Sequence, residues 1–219
     1  MKIDIHRHAK DQGTAHRVVR NLFQWQAHEM ESGKYYSIGL HPWHVKADTL
    51  DTDLALVREA ARDPRVIAIG EAGLDKTIPV PMDIQQEALK SQVEIALEVD
   101  KPLILHCVRS YNEIFSLKSM NSSVKPWIIH WFNASLEMGM QLIRENFYLS
   151  FGHMLFNTKS KAYQAFKHIP EHHIFLETDD AEYTIDDVYQ QASLLKGFSL
   201  SKLESQIRTN FIHCFETKP

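Results

Sequence analysis

The chain has 219 residues, 44% hydrophobic and 24% charged, enough to bury a sizeable core in one large domain or two small ones. Its net charge of −4 argues against a basic face that grips long nucleic acid through many phosphates. No run of about 18 uncharged apolar residues occurs, so the sequence carries no membrane-spanning helix and no membrane partner is expected.

The opening "MKIDIHRHAK" is charged where a secretory leader is apolar, and a cytoplasmic location is expected. Cys107 and Cys214 lie far apart without CxxC spacing, which points to neither a disulfide framework nor a zinc knuckle. The one unusual count is 13 histidines, and it raises a metal-site hypothesis.

In chain order, short apolar runs predict strands at "KIDIH" (2–6), "RVVRNLF" (17–23), "YYSIGLH" (35–41), "VIAIGE" (66–71), "PLILHC" (102–107), "WIIHWF" (127–132), "FYLSFG" (147–152) and "IFLETD" (174–179). The second is interrupted by Arg and Asn and could equally belong to a helix. Helical spacing is clearest over 84–98, where Leu89, Val93, Ala96 and Leu97 share a face. Residues 50–62, 111–119, 135–145, 159–168 and 184–196 read similarly.

Strands alternating with helices imply βαβ units and a parallel sheet. The expectation is a compact α/β fold, a (β/α)8 TIM barrel forming a single domain over 1–219. The connection after the first strand is too short for a full helix. A doubly wound open sheet has the same alternation, but no Gly-rich nucleotide loop follows the first strand.

Barrel enzymes place their chemistry at the carboxyl ends of the strands. Here those ends carry His6 and His8, His41, Glu71, His106, His130 and Asp179. Asp4, His6 and His8 share one parity, so all three can face the barrel mouth. Imidazole nitrogen and carboxylate oxygen suit Zn, Mn or a similar divalent ion. Four of these histidines with the two carboxylates already exceed the needs of one tetrahedral ion and suit two ions about 3.5–4 Å apart. Glu71, a charge at the end of an apolar run, is the natural bridge, since burying it unpaired would be costly.

The segments "IDIHRH", "GLHPWH", "AIGEAGLD", "PLILHC", "IIHWF" and "FLETD" resemble, in order and spacing, the TatD-related metal-dependent hydrolases, often called TatD-type deoxyribonucleases. The resemblance runs essentially end to end and includes "IQQEALKSQVEIALEVDKP" and "LLKGFSLSKLESQIRTNF". It implies an amidohydrolase-like barrel with two divalent metal ions, Zn, Mn or Mg. By motif, His6, His8, Glu71 and Asp179 would hold one ion, and Glu71, His106 and His130 the other. Asp179 would also orient or deprotonate the attacking water, and His41 would face the scissile phosphate. Arg109 and His153 are further candidates for holding substrate.

The chain departs from the family pattern at Arg7 and Ala9 around HxH, at Val108 where an arginine is usual, at Ala134 in "HWFNAS", and in "ETDDAE" after the last strand. The expected activity is hydrolysis of DNA or another phosphodiester held locally, with no obligate protein partner evident. Trp43, Trp131 and Phe132 could stack on bases, although Trp131 and Phe132 more often mean core packing. A lactonase or amidohydrolase acting on carboxyl esters or amides is the alternative. The third reading is a metal-binding scaffold without catalysis.

Overall fold

The computed structural model describes residues 1–10, 16–121 and 125–215. Eight strands form one sheet in sequence order: β1 (Ile3–Arg7), β2 (Arg17–Phe23), β3 (Tyr35–Gly39), β4 (Val66–Asp75), β5 (Leu103–Val108), β6 (Trp127–Ile129), β7 (Phe147–Phe151) and β8 (Ile174–Leu176). A parallel bridge between Arg7 and Asp179 ties the end of β1 to the residues after β8. Between the strands run α1 (Leu50–Ala60), α2 (Met82–Glu98), α3 (Tyr111–Met120), α4 (Leu136–Arg144), α5 (Lys161–Phe166) and α6 (Ile185–Lys196), followed by α7 (Leu200–Phe215). The fold is the parallel (β/α)8 barrel that the alternation predicts.

The ambiguous second run is a strand because its polar residues are buried and used: Asn21, 2% exposed, meets backbone and side chain of its neighbours. β6 and β8 stop at the apolar part of their runs, which leaves His130 and Glu177–Asp179 on the segments that follow. β4 runs on to Asp75. The helical periodicity of 200–215 was not read as an element; Leu203, Ile207, Phe211 and Cys214 bury one face of α7. Most of the connection between β1 and β2 lies at residues 11–15, outside the described residues.

The chain gathers into two compact units, Met1–Arg20 with Ile128–Pro219, and Asn21–Trp127. In the first, Phe132, Phe151 and Phe166 pack edge to face, with ring centroids 5.5 and 4.9 Å apart. In the second, Leu22, Tyr36, Ile38, Ala60 and Val66 form a continuous buried cluster.

The buried stripe of α2 differs from the expectation. Leu97 is 46% exposed, while Gln85 and Gln92 are buried with Leu89, Val93 and Ala96. Both glutamines are there to satisfy strand ends. Gln92 Oε1 accepts from the Leu40 N–H at 2.7 Å, and its Nε2 donates to the Leu40 carbonyl at 3.0 Å. Gln85 does the same for Asp75, at 2.8 and 3.1 Å. A buried peptide group beyond the sheet ladder must find such a partner.

Gln92→Leu keeps the volume but leaves both backbone groups of Leu40 unmet. It is expected to lower the unfolding free energy by about 1–3 kcal/mol. Urea denaturation checks this as a lower midpoint at unchanged slope; an unaltered midpoint would remove Gln92 from the support of β3.

Candidate metal centre

In the unit Asn21–Trp127, the donors come from three consecutive strand ends. Glu71 lies within β4 and is 4% exposed. Its backbone N–H donates to Asn21 Oδ1 at 2.6 Å, and the Ser37 hydroxyl donates to the same oxygen at 3.0 Å. Gly73 sets the closeness of the neighbouring strand: its φ is 151° and a Cβ there would collide with the His106 carbonyl oxygen. Only glycine permits both.

One oxygen of Glu71, Oε1, meets two imidazoles: His41 Nε2 at 3.1 Å and His106 Nδ1 at 2.9 Å. His41 Nδ1 accepts the backbone N–H of Trp43 at 3.2 Å. That nitrogen is therefore bare, and Nε2 carries the proton it presents to Glu71. Pro42 follows and begins a single 3-10 turn that brings the Trp43 amide round to His41. His41 Nε2 thus donates to Glu71, and His41, Glu71 and His106 form a group whose donor atoms lie within 4.8 Å of one another.

His106 has a second carboxylate on its other face. Its Nε2 lies 3.2 Å from Asp75 Oδ2, which also accepts from Trp43 Nε1 at 2.9 Å. The other oxygen, Oδ1, accepts from the backbone N–H of Thr77 at 2.8 Å and from its hydroxyl. Asp75 is 2% exposed. Burial pushes its carboxyl pKa upward, but donors from Thr77, Trp43 and His106 outweigh it and hold the group down to about 2.

In the other unit, β1 and the segments after β6 and β8 bring together His6, His130 and Asp179, and His8 with Asp179 and Asp180. Donor atoms within each group lie within 4.8 Å of one another. Asp179 Oδ1 is 3.7 Å from His6 Nε2 and 3.4 Å from His8 Nε2. The rings of His6 and His130 are 4.3 Å apart between centroids.

Asp179 is held by its own N–H, which donates to the His6 carbonyl at 2.9 Å. Its φ of 52° is left-handed, as is that of Trp131 at 44°. Non-glycine residues in that region signal a constraint imposed by surroundings, often at functional sites.

Carboxylates that the ligand reading left aside support this group. Asp4, fully buried, accepts from the Thr178 N–H at 3.1 Å and from its hydroxyl at 2.6 Å, which fixes the segment carrying Asp179. Burial raises the Asp4 pKa to about 7 despite those two bonds. Glu177 is fully buried; its Oε1 accepts from the Trp131 N–H at 2.5 Å and lies 3.7 Å from His130 Nδ1.

The substrate candidates sit further out. Arg109 is exposed, just after β5, with a left-handed φ of 55°. The His153 ring packs against Trp131 at a tilt of 56°, centroids 5.2 Å apart. Trp43 and Trp131 are 60% and 43% exposed, whereas Phe132 is buried in the core.

The sequence reading did not weigh Asp75, Trp43 Nε1 or Asn21 as parts of the site. Asp75 stands in the quoted "GEAGLD", but its role depends on which atoms face it, and no spacing rule reveals that. Both donor groups have the chemistry of a divalent-cation site, imidazole nitrogen with carboxylate oxygen.

A parallel barrel with imidazoles and carboxylates at the carboxyl ends of its strands is the architecture of a metal-dependent hydrolase. The chain belongs to the TatD related DNase family, whose profile matches residues 5–216. It is 35% identical over 148 residues to the uncharacterized metal-dependent hydrolase YabD of Bacillus subtilis, a match covering 66% of this chain and 58% of that protein. To YcfH of Escherichia coli K12, also described as an uncharacterized metal-dependent hydrolase, it is 25% identical over 196 residues, covering 82% and 73%. The chain spans less than two thirds of the length of several such relatives, 61% in the case of Mycobacterium tuberculosis TatD.

Among solved structures, the Escherichia coli TatD homologue YjjV superposes with a TM-score of 0.83 at 19% identity, covering 99% of this chain and 98% of that one. A TatD family hydrolase from Entamoeba histolytica gives 0.80 at 16% identity, with coverage of 99% and 98%. These likenesses establish the barrel. No helix among the described residues is long and apolar enough to cross a membrane.

Asn21→Leu removes the acceptor for the Glu71 N–H and the Ser37 hydroxyl. It is expected to cost about 1–3 kcal/mol of stability by urea unfolding. Retained stability would mean that Glu71 is fixed by other contacts.

Proposed function

We propose that the chain is a metal-dependent hydrolase of phosphodiesters, DNA foremost, whose imidazoles His6, His8, His106 and His130 and carboxylates Glu71 and Asp179 hold two divalent cations. The observation that supports this best is that carboxylate and imidazole are paired in both units: buried Glu71 with buried His106 at 2.9 Å, and partly exposed Asp179 with His8 at 3.4 Å. Family membership supports the reaction class. When bound, such ions lower the pKa of a water and polarise a phosphoryl oxygen.

The remaining steps belong to the chain. Asp179, only slightly exposed and fixed through its own N–H, accepts the proton of the attacking water. His41 keeps its proton on Nε2 through the Trp43 contact, and that N–H, which meets Glu71 in this structure, would be the donor for a non-bridging phosphate oxygen. Arg109 supplies an exposed cation beside the strand end, and His153 with Trp131 a half-exposed ring surface against which a base can stack. The low net charge fits a substrate held at one point rather than along its length.

Glu71→Gln preserves shape and removes the charge on which two imidazoles converge. It is expected to lower bound metal, measured by elemental analysis, and turnover by more than about 100-fold. The assay uses Mg, Mn or Zn with single-stranded DNA, duplex DNA, RNA and a generic phosphodiester beside carboxyl-ester and amide substrates. Cleavage confined to the carboxyl substrates would replace this function with an amidohydrolase one, and no cleavage of any would leave a metal-binding scaffold.

A further inference from the structure

We infer that Asp75 is a positioning residue that fixes Nε2 as the protonated nitrogen of His106, so that Nδ1 is the nitrogen turned to Glu71 and the one that takes the cation. The inference rests on the metal-dependent reading above and assigns the nitrogen, and the group that selects it.

The argument is one of donors and acceptors. Asp75 has two carboxylate oxygens, and every group that meets them is a donor. Oδ1 receives the Thr77 N–H and hydroxyl. Oδ2 receives the Trp43 indole N–H and faces His106 Nε2 at 3.2 Å. The Thr77 amide and the Trp43 indole can only donate. They keep Asp75 an acceptor on both sides, and the nitrogen of His106 that faces it must carry a proton.

The other nitrogen is then determined. Nδ1 lies 2.9 Å from Glu71 Oε1. A bare lone pair at that distance from a carboxylate oxygen is repulsive, so positive charge belongs there, either a second proton or a cation. His41 already presents Nε2–H to the same oxygen, held in that tautomer by the Trp43 backbone amide. The segment from His41 to Trp43 therefore sets both histidines, one through a peptide N–H and one through an indole acting on Asp75. A carboxylate behind a metal-bound histidine fixes its tautomer and orientation in this way.

Asparagine at position 75 cannot substitute. Its amide group would have to face either the Thr77 N–H or the Trp43 indole, and in both orientations donor meets donor.

The test uses the full chain with zinc chloride as the probe. In zinc-loaded protein labelled with 15N in its histidine rings, long-range proton–nitrogen correlation should show His106 with a protonated Nε2 and a ligated Nδ1. Asp75→Asn should weaken one of the zinc equivalents by about 10–100-fold in direct titration without substrate, and should lose the protected Nε2–H.

A loaded wild-type protein with the proton of His106 on Nδ1 would overturn the inference and leave the hydrolase reading standing. So would an Asp75→Asn protein with the zinc affinity and ring pattern of the wild type. Failure of the wild type to bind zinc, manganese or magnesium would overturn both. The wild-type spectrum needs no variant, so the inference stays open to refutation even if Asp75→Asn does not fold.

Discussion

A carboxylate taken out of water at the end of an apolar strand is stable only where donors or positive charge meet it, and the carboxyl edge of this barrel is organised around that requirement. Glu71 Oε1 faces two imidazoles, and the Glu71 backbone N–H is met by Asn21. Asp75 is surrounded by four donors, Asp4 by both polar groups of Thr178, and Glu177 by the Trp131 amide. Each arrangement spans segments distant in sequence. Each therefore fixes a loop as well as a charge, and the candidate metal donors inherit that rigidity.

Support of this kind reaches down into the helical layer. Gln85 and Gln92, seven residues apart on α2, lie two turns apart on one face, and their amides clamp Asp75 and Leu40. Leu40 precedes the proton donor His41, and Asp75 faces the Nε2 of His106. One helix face thus sets two strand ends at once. Ordinary apolar burial would hold the helix against the sheet but would not fix the azimuth of a peptide group; the paired hydrogen bonds of an amide do.

The strands were legible because parallel strands buried on both faces are continuous apolar runs, and the polar residue closing each run stood out against them. The ligand candidates were legible for the same reason. What could not be read was pairing across the sheet. Nothing in "GEAGLD" tells whether Asp75 turns to solvent or to His106, and nothing in "IQQEALKSQ" separates a buried Gln92 from a solvated one. Alternation also ended sooner than the runs did. β8 stops at Leu176, and the residues after it are placed by separate bonds: the Glu177 N–H to the Phe151 carbonyl, Thr178 to Asp4 and the Asp179 N–H to the His6 carbonyl. The helix α7 was passed over although its stripe from Leu203 to Cys214 has helical spacing.

Two of the departures from the family pattern, around HxH and after the last strand, share a location. Arg7 and Ala9 around HxH, and Asp180, Ala181 and Glu182 after the last strand, all line one cavity of about 330 Å³ that also reaches Asp179. A wall made of side chains that alternate outward from the ligand strand, or follow the ligand in a turn, can vary without moving the ligands themselves. The pleat separates them at β1, and the His6 carbonyl contact anchors Asp179 ahead of the variable segment. Candidate metal donors and cavity-lining residues are thus neighbours on the same two segments.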